Sequence, residues 1–443
     1  MAAELTGFLE QDQMSKFNLL IEELQPYDIA SSYWLLTEEI KPKFLAALDL
    51  ITLTNLIAEL DSAEQYEAFR LIGPKRTTEV MDKMDNDDLA GFLDSLTDEE
   101  KQHFLATMNR LESTAVQQLM NYPPETAGRI MNNRYVWIPQ HYNVKEAIAK
   151  VREFAEISDS ISYLYIIDDE KKLIGVVSYR DLILAQPEDK IYDIMHARVI
   201  SVTVDMDQEK VADVIRNYDF LAVPVVDRSN RLSGIITVDD IIDVVVNEAN
   251  EDIQKLSGGG KNIDFDTKPG VAAMRRLPWL VLLLFIGLIS GTIISRFEDT
   301  LSKIVALAFF MPMIAGMTGN TGTQSLAVVV RGLISNELKG KDILRLLRRE
   351  LIVGLIIGVT CGILVTGITF VWQHDLMLGF VVGTSLLLTL IIGTIAGTIV
   401  PLILSKLKVD PAVASGPLIT TLNDVLSLFT YFGIASLFLS YLD

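Results

Sequence analysis

The sequence predicts a multidomain protein with an all-α N-terminal domain, an α/β middle domain and an all-α transmembrane domain of five helices. Three patterns in the 443 residues lead to this prediction. Apolar residues recur at helical spacing near the N-terminus, a strand–strand–helix unit occurs twice in the middle, and long uncharged stretches fill the second half. We place the domain bounds at residues 1–125, 126–243, 244–270 and 271–443, where 244–270 is a connecting helix with a joint.

Short amphipathic units punctuated by Asp, Pro and Gly fill the first domain. Residues 51–60 and 89–96 are two of them, with apolar residues at helical spacing and no alternation typical of strands. This pattern predicts a small stack of helices. Asp87 and Asp88 stand at a predicted helix start, which acids favour because of capping and the helix dipole.

One unit is repeated in the middle domain at a constant offset of 59 residues (168 to 227). Asp168, Gly175 and Asp181 of the first copy correspond to Asp227, Gly234 and Asp240 of the second. Each copy ends its second strand with a hydroxyl residue and places Asp three residues later, as in Ser178–Asp181. Such a pair can bind vicinal sugar hydroxyls, and it can also cap a helix.

The predicted connecting helix places Glu248, Glu251 and Asp252 on one face, because they are spaced i, i+3 and i+4. A solvated acidic face is the usual meaning of this pattern. The helix also lies between the repeat pair and the first transmembrane span, where a regulatory signal has to pass. A flexible joint, Ser257-Gly258-Gly259-Gly260, follows.

Five stretches are long and apolar enough for spans. Four lack charge altogether, at residues 277–295, 304–330, 351–373 and 376–405, and the fifth, 411–442, has Asp424 as its one charged residue. A carboxylate at membrane depth costs at least ~2.5–3.5 kcal/mol, so it indicates an ion path. The alternative is a protonated or hydrogen-bonded acid that only packs helices.

The loops predict the orientation of a multi-pass cell-membrane protein in the lipid bilayer. Basic residues concentrate before span 1, between spans 2 and 3 and between spans 4 and 5, whereas the opposite loops have only Arg296, Lys303 and His374. The N-terminal half is therefore expected in the cytoplasm and Asp443 outside. Nothing in residues 1–18 resembles a signal peptide.

The charge is concentrated in the predicted cytoplasmic half. Residues from Val271 onward hold 12 Lys+Arg and 9 Asp+Glu, which leaves 26 and 49 of the totals 38 and 58 for residues 1–270, a net charge of −23. This excludes nucleic acid as a partner and suits cations, although acidity also serves solubility.

Spans 2 and 5 carry the polar groups expected of an ion path. Pro312 and nearby glycines are expected to bend or open span 2, and Asn320, Thr323 and Gln324 add neutral oxygens. Asn423 precedes Asp424 in span 5. Neutral oxygens, one carboxylate and room for water suit Mg²⁺, which loses its hydration shell reluctantly.

These segments resemble the MgtE family of magnesium channels, and the middle domain resembles a tandem CBS module. The resemblance rests on Tyr-Pro-Pro-Glu-Thr-Ala-Gly-Arg-Ile-Met at 122–131, Glu-Ala-Asn-Glu-Asp at 248–252, Gly-Asn-Thr-Gly-Thr-Gln-Ser at 319–325 and Thr-Leu-Asn-Asp at 421–424. It implies a homodimeric Mg²⁺-selective channel for magnesium uptake, with Asp424 selecting the ion and cytoplasmic Mg²⁺ closing the pore.

The resemblance also implies two sets of cytoplasmic residues. The Mg²⁺ sensor acids are Asp87, Asp207, Glu209, Asp219, Asp240, Asp243, Glu248, Glu251 and Asp252. The residues for ATP, a second ligand, are Tyr163, Ser178, Arg180, Asp181 and Phe220. Two departures from the family pattern are Thr318, where Gly is expected, and Gly91, where some members have an acid.

Other function classes remain as alternatives. A secondary transporter or exporter that couples Mg²⁺ to Na⁺ or H⁺ is one, although no halves repeated across the membrane are evident. A membrane-anchored nucleotide sensor is another, and Asp424 counts against it. An enzyme is not expected, because the sequence shows no phosphate-binding Gly-rich Lys loop, no metal-binding cluster among four histidines and no nucleophile–base pair.

Overall fold

The computed structural model describes residues 1–154, 163–258, 263, 267–334 and 341–442. The chain forms two compact units, Met1–Val246 and Asn247–Asp443, which are described separately. Gly259 and Gly260 of the predicted joint, Lys339 of the loop between spans 2 and 3, and Asp443 lie outside the described residues.

Helices alone form the N-terminal domain, which confirms the all-α prediction for residues 1–120, all of them described. They are α1 (Ala2–Glu10), α2 (Met14–Glu22), α3 (Pro26–Trp34), α4 (Lys41–Ala47), α5 (Leu50–Ala58), α6 (Ser62–Ile72), α7 (Pro74–Met81), α8 (Asn86–Asp94), α9 (Asp98–Thr107) and α10 (Arg110–Met120). Side chains cap several starts: Asp49 caps α5, and capping boxes begin α6 at Asp61 and α9 at Thr97. Phe17, Phe44 and other fully buried apolar residues hold the helices together.

Two three-stranded sheets form the CBS pair, and their registers repeat the sequence offset. The first copy has α11 (Ala127–Ile130), β1 (Trp137–Pro139), α12 (Val144–Phe154), β2 (Tyr163–Ile167), β3 (Leu173–Ser178), α13 (Tyr179–Leu184) and α14 (Ile191–Ile194), and the second has β4 (Val202–Thr203), α15 (Gln208–Tyr218), β5 (Ala222–Val226), β6 (Leu232–Thr237) and α16 (Val238–Leu256). In each sheet the first two strands are parallel and the last two antiparallel. Tyr163 pairs with Ser178, and Ala222 pairs with Thr237.

The connecting helix is not a separate element. It is the second half of α16, which begins directly after β6 and continues through the bound we predicted at 243/244. Asp240 of the second CBS copy and Glu248 of the connecting segment therefore belong to the same helix.

The second unit is helical. Its elements are α17 (Pro269–Arg296), α18 (Glu298–Lys303), α19 (Ala306–Ile334), α20 (Lys341–Gln373), α21 (Leu376–Lys406), a 3₁₀ turn (Pro411–Val413), α22 (Gly416–Leu437) and α23 (Leu439–Leu442). Among the described residues, four helices are long and apolar enough to cross a membrane: α17, α20, α21 and α22. The 29 residues of α19 have sufficient length, but the helix is not one of these four, so the five-span count stays a prediction.

Pro312 and its glycines were expected to bend or open span 2, and the structure shows that the helix is not opened. In the structure α19 is a continuous helix with Pro312 inside it. Two of the glycines serve close packing: a Cβ added at Gly319 would lie 2.9 Å from Thr420 Cγ2, and one at Gly322 would overlap the Asn423 amide. Small residues let α19 and α22 approach closely, as is common between membrane helices.

Candidate functional site

Carboxylates at two helix N-termini interact within the first unit. Asp85 is the N-cap of α8 with two acids in the first turn, and α16 has two acids in its first turn and a third one turn later. We call Asp85, Asp87, Asp88, Asp239, Asp240 and Asp243 the acidic cluster. The positive ends of the helix dipoles favour acids at these positions, but they also bring like charges together.

Burial and mutual repulsion raise pKa values in the acidic cluster. Burial, followed by the charge of Asp240, raises the pKa of Asp87 well above its usual range. Burial also raises the pKa of Asp240 to about 6, although hydrogen bonds donated by the Thr237 amide and hydroxyl oppose the shift. The pKa of Asp88, at the exposed rim, is raised to about 7 by burial of its carboxylate and by Asp85. A cation or a proton would relieve this repulsion.

The acidic cluster fits a hydrated Mg²⁺ better than a fully enclosed ion. Asp87 Oδ1 is buried without a hydrogen-bond partner, which is costly for a carboxylate oxygen. Within the described ranges, no group of three or more His, Cys, Asp or Glu is arranged to hold a metal ion. Mg²⁺ commonly keeps several waters and uses only one or two carboxylates. Asp87 and Asp240 can supply that number.

Three other predicted sensor acids lie at the two ends of α15. Asp207 is the N-cap and accepts a hydrogen bond from the Glu209 amide at 3.1 Å. Asp219 is the C-cap in the left-handed conformation, with φ of 54°. The 11-residue helix separates these ends by roughly 16 Å, so the three acids do not form one site.

In the second unit, one acid of the connecting helix pairs with Lys255, which sequence reasoning missed. Lys255 Nζ lies 2.6 Å from Glu251 Oε1 and 2.7 Å from Asp410 Oδ2. Burial and the nearby Asp410 charge raise the pKa of Asp252. The i, i+4 spacing of Glu251 and Lys255 was a usable signal, but Asp410 is 155 residues from Lys255 and gave none. Glu248 lies on the same helix, one turn before Glu251 and Asp252.

Asp424 and Asn423 occupy different environments on α22. Asn423 is fully buried, and its Nδ2 donates to the Thr318 carbonyl at 3.3 Å, while its Oδ1 lacks a partner. Asp424 is half-buried, and its carboxylate has no hydrogen-bond or ion-pair partner among the residues that the structure describes. Asp424 is therefore the acid available to an ion, and Asn423 joins α22 to α19.

The predicted polar residues of α19 lie mainly on its accessible face. Asn320 and Gln324 are exposed and share a face by their i, i+4 spacing, and the half-buried Thr323 donates from Oγ1 to the Asn320 carbonyl. Thr318, the departure from the family pattern, points elsewhere: it is fully buried, and its Cγ2 lies 2.8 Å from the position of a Cβ added at Gly393. Its methyl group thus occupies space against a glycine of α21.

The predicted nucleotide residues are grouped around the first copy's helix start. Ser178 and Asp181 form a capping box, so the helix-cap interpretation is confirmed. The Ser178 hydroxyl lies 2.6 Å from Asp181 Oδ2 and holds the pKa of Asp181 below its usual range. Tyr163 is the strand partner of Ser178, and His196 Nε2, which sequence reasoning missed, lies 3.5 Å from Asp181 Oδ2.

Two further predicted nucleotide residues differ in exposure, and Phe220 packs against the core of the first unit. Arg180 is exposed at the start of α13. Phe220 stacks on Tyr218, with ring centroids 5.4 Å apart. In the second copy, Thr237 and Asp240 repeat the capping arrangement, but Asp240 also belongs to the acidic cluster.

Comparisons with known proteins agree with this architecture. The MgtE model, described as a divalent cation transporter, matches residues 311–434, the MgtE intracellular N domain matches 24–125, and CBS domains match 127–188 and 191–247. The chain is 56% identical over 431 residues to "Magnesium transporter MgtE" of Bacillus subtilis, covering 97% of this chain and 96% of the relative. It is 34% identical over 444 residues to the protein of that name from Thermus thermophilus, covering 99% and 98%.

A solved structure is similar to the N-terminal half. It is the crystal structure of the cytosolic domain of the Mg²⁺ channel MgtE in complex with ATP, with 32% identity, a TM-score of 0.52, and coverage of 55% of this chain and all of that one. The relatives that span the whole chain are named as transporters and not as enzymes. Since the family models match all three regions and the relatives extend over nearly the whole chain, this multi-pass membrane protein belongs to the MgtE family of divalent cation transporters.

Proposed function

We propose that the protein is a Mg²⁺-selective channel for magnesium uptake that cytoplasmic Mg²⁺ closes. The observation that carries the proposal is Asp424, an acid in an otherwise uncharged helix whose carboxylate has no partner among the described residues. An acid kept at membrane depth needs water, a cation or a counter-charge. The names of the relatives support Mg²⁺ as the cation.

The pore belongs to a homodimer in this proposal, with α22 of each chain facing the ion. Asp424 supplies one carboxylate per chain, and the exposed Asn320 and Gln324 with Thr323 supply neutral oxygens. An ion that keeps part of its hydration shell requires few direct ligands, so water-mediated contacts to these groups suit Mg²⁺. In the membrane orientation that the loop charges predict, residues 1–246 lie in the cytoplasm and the C-terminus lies outside.

In this proposal, gating follows from the negative charges of the acidic cluster in the first unit. Without a divalent ion, the repulsion in the acidic cluster opposes the packing of α8 against the start of α16. Mg²⁺ bound between Asp87 and Asp240 stabilises that packing, and an ion that binds the closed state better shifts the population toward it. Asp243 and the acids of the connecting helix would bind Mg²⁺ in the same way further along α16. Separate Mg²⁺ contacts would come from Asp207, Glu209 and Asp219.

ATP is the proposed second ligand, bound at the first CBS copy. The cytosolic domain to which the N-terminal half is similar was solved in complex with ATP. In this chain Asp181 and Ser178 would hold the ribose, Tyr163 and Phe220 the base, and Arg180 the phosphates. We expect one nucleotide per chain, because Asp240 of the second copy is engaged in the acidic cluster.

Flux through purified protein in liposomes tests the proposal. Asp424→Asn preserves shape and removes the charge, so Mg²⁺ flux should be lost while the protein still assembles. Asp299→Asn is the matched control, because Asp299 is an exposed acid in the same unit. Mg²⁺ movement that needs a Na⁺ or H⁺ gradient would instead favour an exchanger, and normal flux in well-folded Asp424→Asn would remove this residue from the pore.

A further inference from the structure

Glu350 is the least exposed charged residue in the described part of the chain. It is 4% exposed and lies in α20, directly before the uncharged stretch 351–373. Its Oε2 accepts a hydrogen bond from Ser325 Oγ at 2.9 Å, and its Oε1 accepts from Arg349 Nε and Nη2 at 3.2 Å and 2.9 Å. Both oxygens are engaged and a counter-charge is present, so Glu350 is not arranged as a cation ligand.

The bond from Ser325 connects Glu350 to the polar face of α19. Ser325 is 3% exposed and follows Gln324, which is exposed. Neighbouring helical residues point about 100° apart. A fixed direction for Ser325 therefore fixes the directions of Gln324 and of Asn320, one turn earlier.

Two other hydrogen bonds to α19 reach its backbone: Asn423 Nδ2 donates to the Thr318 carbonyl at 3.3 Å, and the Tyr431 hydroxyl donates to the Leu307 carbonyl at 2.8 Å. Among the described residues, the bond from Ser325 to Glu350 is the one that a side chain of α19 makes to another helix. Gly319 and Gly322 pack against α22, and Gly393 and Gly397 of α21 pack against α19. Glycine contacts allow close approach but have no side chain that fixes a rotation. A hydrogen bond to a buried charge is directional and stronger than a neutral one.

We propose that Glu350 is a positioning residue for cation permeation. Through Ser325 it fixes the rotation of α19, and so it determines how Asn320, Thr323 and Gln324 face the ion. Arg349 neutralises Glu350, which lets the acid serve as an anchor without competing with Asp424 for cations. The inference rests on the proposed function, since it assigns a second acid of the same unit to the same transport.

The test uses the full-length protein in liposomes and two independent readouts. Mg²⁺ and Ca²⁺ fluxes are measured for Ser325→Ala, Ser325→Thr, Glu350→Gln and the double variant, with the exposed Glu298→Gln as the matched control. Rotation of α19 is measured directly by the labelling rate of Gln324→Cys with a water-soluble thiol reagent. Cys361→Ala provides the background, because Cys361 is the one cysteine of the chain.

Ser325→Ala should lower the Mg²⁺/Ca²⁺ flux ratio about tenfold and change the labelling rate, as expected for the loss of a hydrogen bond to a charged group. Ser325→Thr keeps the hydroxyl and should restore both, and the double variant should be no worse than Glu350→Gln. A folded Ser325→Ala protein that keeps the wild-type flux ratio and the wild-type labelling rate would overturn the proposal. A lower total flux with an unchanged flux ratio and labelling rate would overturn it as well. If Glu350→Gln fails to fold, Ser325→Ala decides alone. Absence of Mg²⁺ flux in wild type would instead contradict the proposed function.

Discussion

Two acids of the transmembrane unit show how surroundings decide the role of a residue. The Asp424 carboxylate has no partner in the described ranges, while Glu350 is engaged by Ser325 and Arg349. An acid without a partner can exchange ligands with a passing ion, whereas an acid with both oxygens engaged holds its neighbours in place. In our proposals, the same carboxylate chemistry supports conduction at Asp424 and helix geometry at Glu350.

A prediction at the residue scale concerns Asp181. Asp181→Ala should weaken ATP binding by about 1–3 kcal/mol, roughly five- to 150-fold. The reason is that the substitution removes the carboxylate that would accept hydrogen bonds from the ribose hydroxyls. Calorimetry with purified protein measures this effect. Asp169→Asn serves as the control, because Asp169 is an exposed acid that is not among the proposed nucleotide residues. Two equivalent sites per chain would show that Asp240 also serves a nucleotide, and no heat with wild type would reduce the CBS pair to a scaffold.

At the scale of the element, α8 offers a position where the sensor can be strengthened. Gly91 lies one turn after Asp87 on the same face, is exposed, and has no atom within 4 Å of an added Cβ. Gly91→Asp should lower the Mg²⁺ concentration for half-closure about tenfold, which corresponds to ~1.4 kcal/mol from an added carboxylate.

Gly91→Asn is the matched control, because Asn and Asp have similar helix propensities and only Asp adds a charge. Mg²⁺ titrations of flux compare the two variants. An equal response of both to Mg²⁺ would place the sensor away from this face of α8.

The acidic cluster should also make the first unit, Met1–Val246, sensitive to pH. Folding raises the pKa of Asp240 from 3.8 to about 6, so the folded state binds more protons than the unfolded state between these values. Stability without Mg²⁺ should therefore fall as pH rises through this window, by on the order of 1–2 kcal/mol after allowance for solvent screening.

Urea unfolding of residues 1–246 at pH 5 and pH 7 checks this effect on the free energy of unfolding. Asp87→Asn should flatten the dependence, and Asp98→Asn, an exposed acid outside the cluster, should leave it unchanged. A chelated wild-type unit that is more stable at pH 7 than at pH 5 would contradict the assigned repulsion.

For the whole molecule, patterns that are local in sequence predicted the architecture. The 59-residue offset reappears in the strand pairs of Tyr163 with Ser178 and Ala222 with Thr237. Contacts between distant residues could not be predicted in this way. Lys255 with Asp410 and Ser325 with Glu350 arise only when helices pack, and no local periodicity encodes their distance. Pro312 was expected to bend or open span 2, and the continuous α19 shows that the helix is not opened there.

In the proposed mechanism, Mg²⁺ on the side of residues 1–246 closes a Mg²⁺-conducting pore. Currents across a bilayer that contains oriented protein test this mechanism. Mg²⁺ is the permeant ion on one side, and its concentration is varied on the side that faces residues 1–246. We expect current without a counter-ion gradient when that side is free of Mg²⁺, and closure as Mg²⁺ there reaches millimolar levels. Current that is unaffected by Mg²⁺ on that side, with Asp87→Asn behaving as wild type, would contradict closure by Mg²⁺.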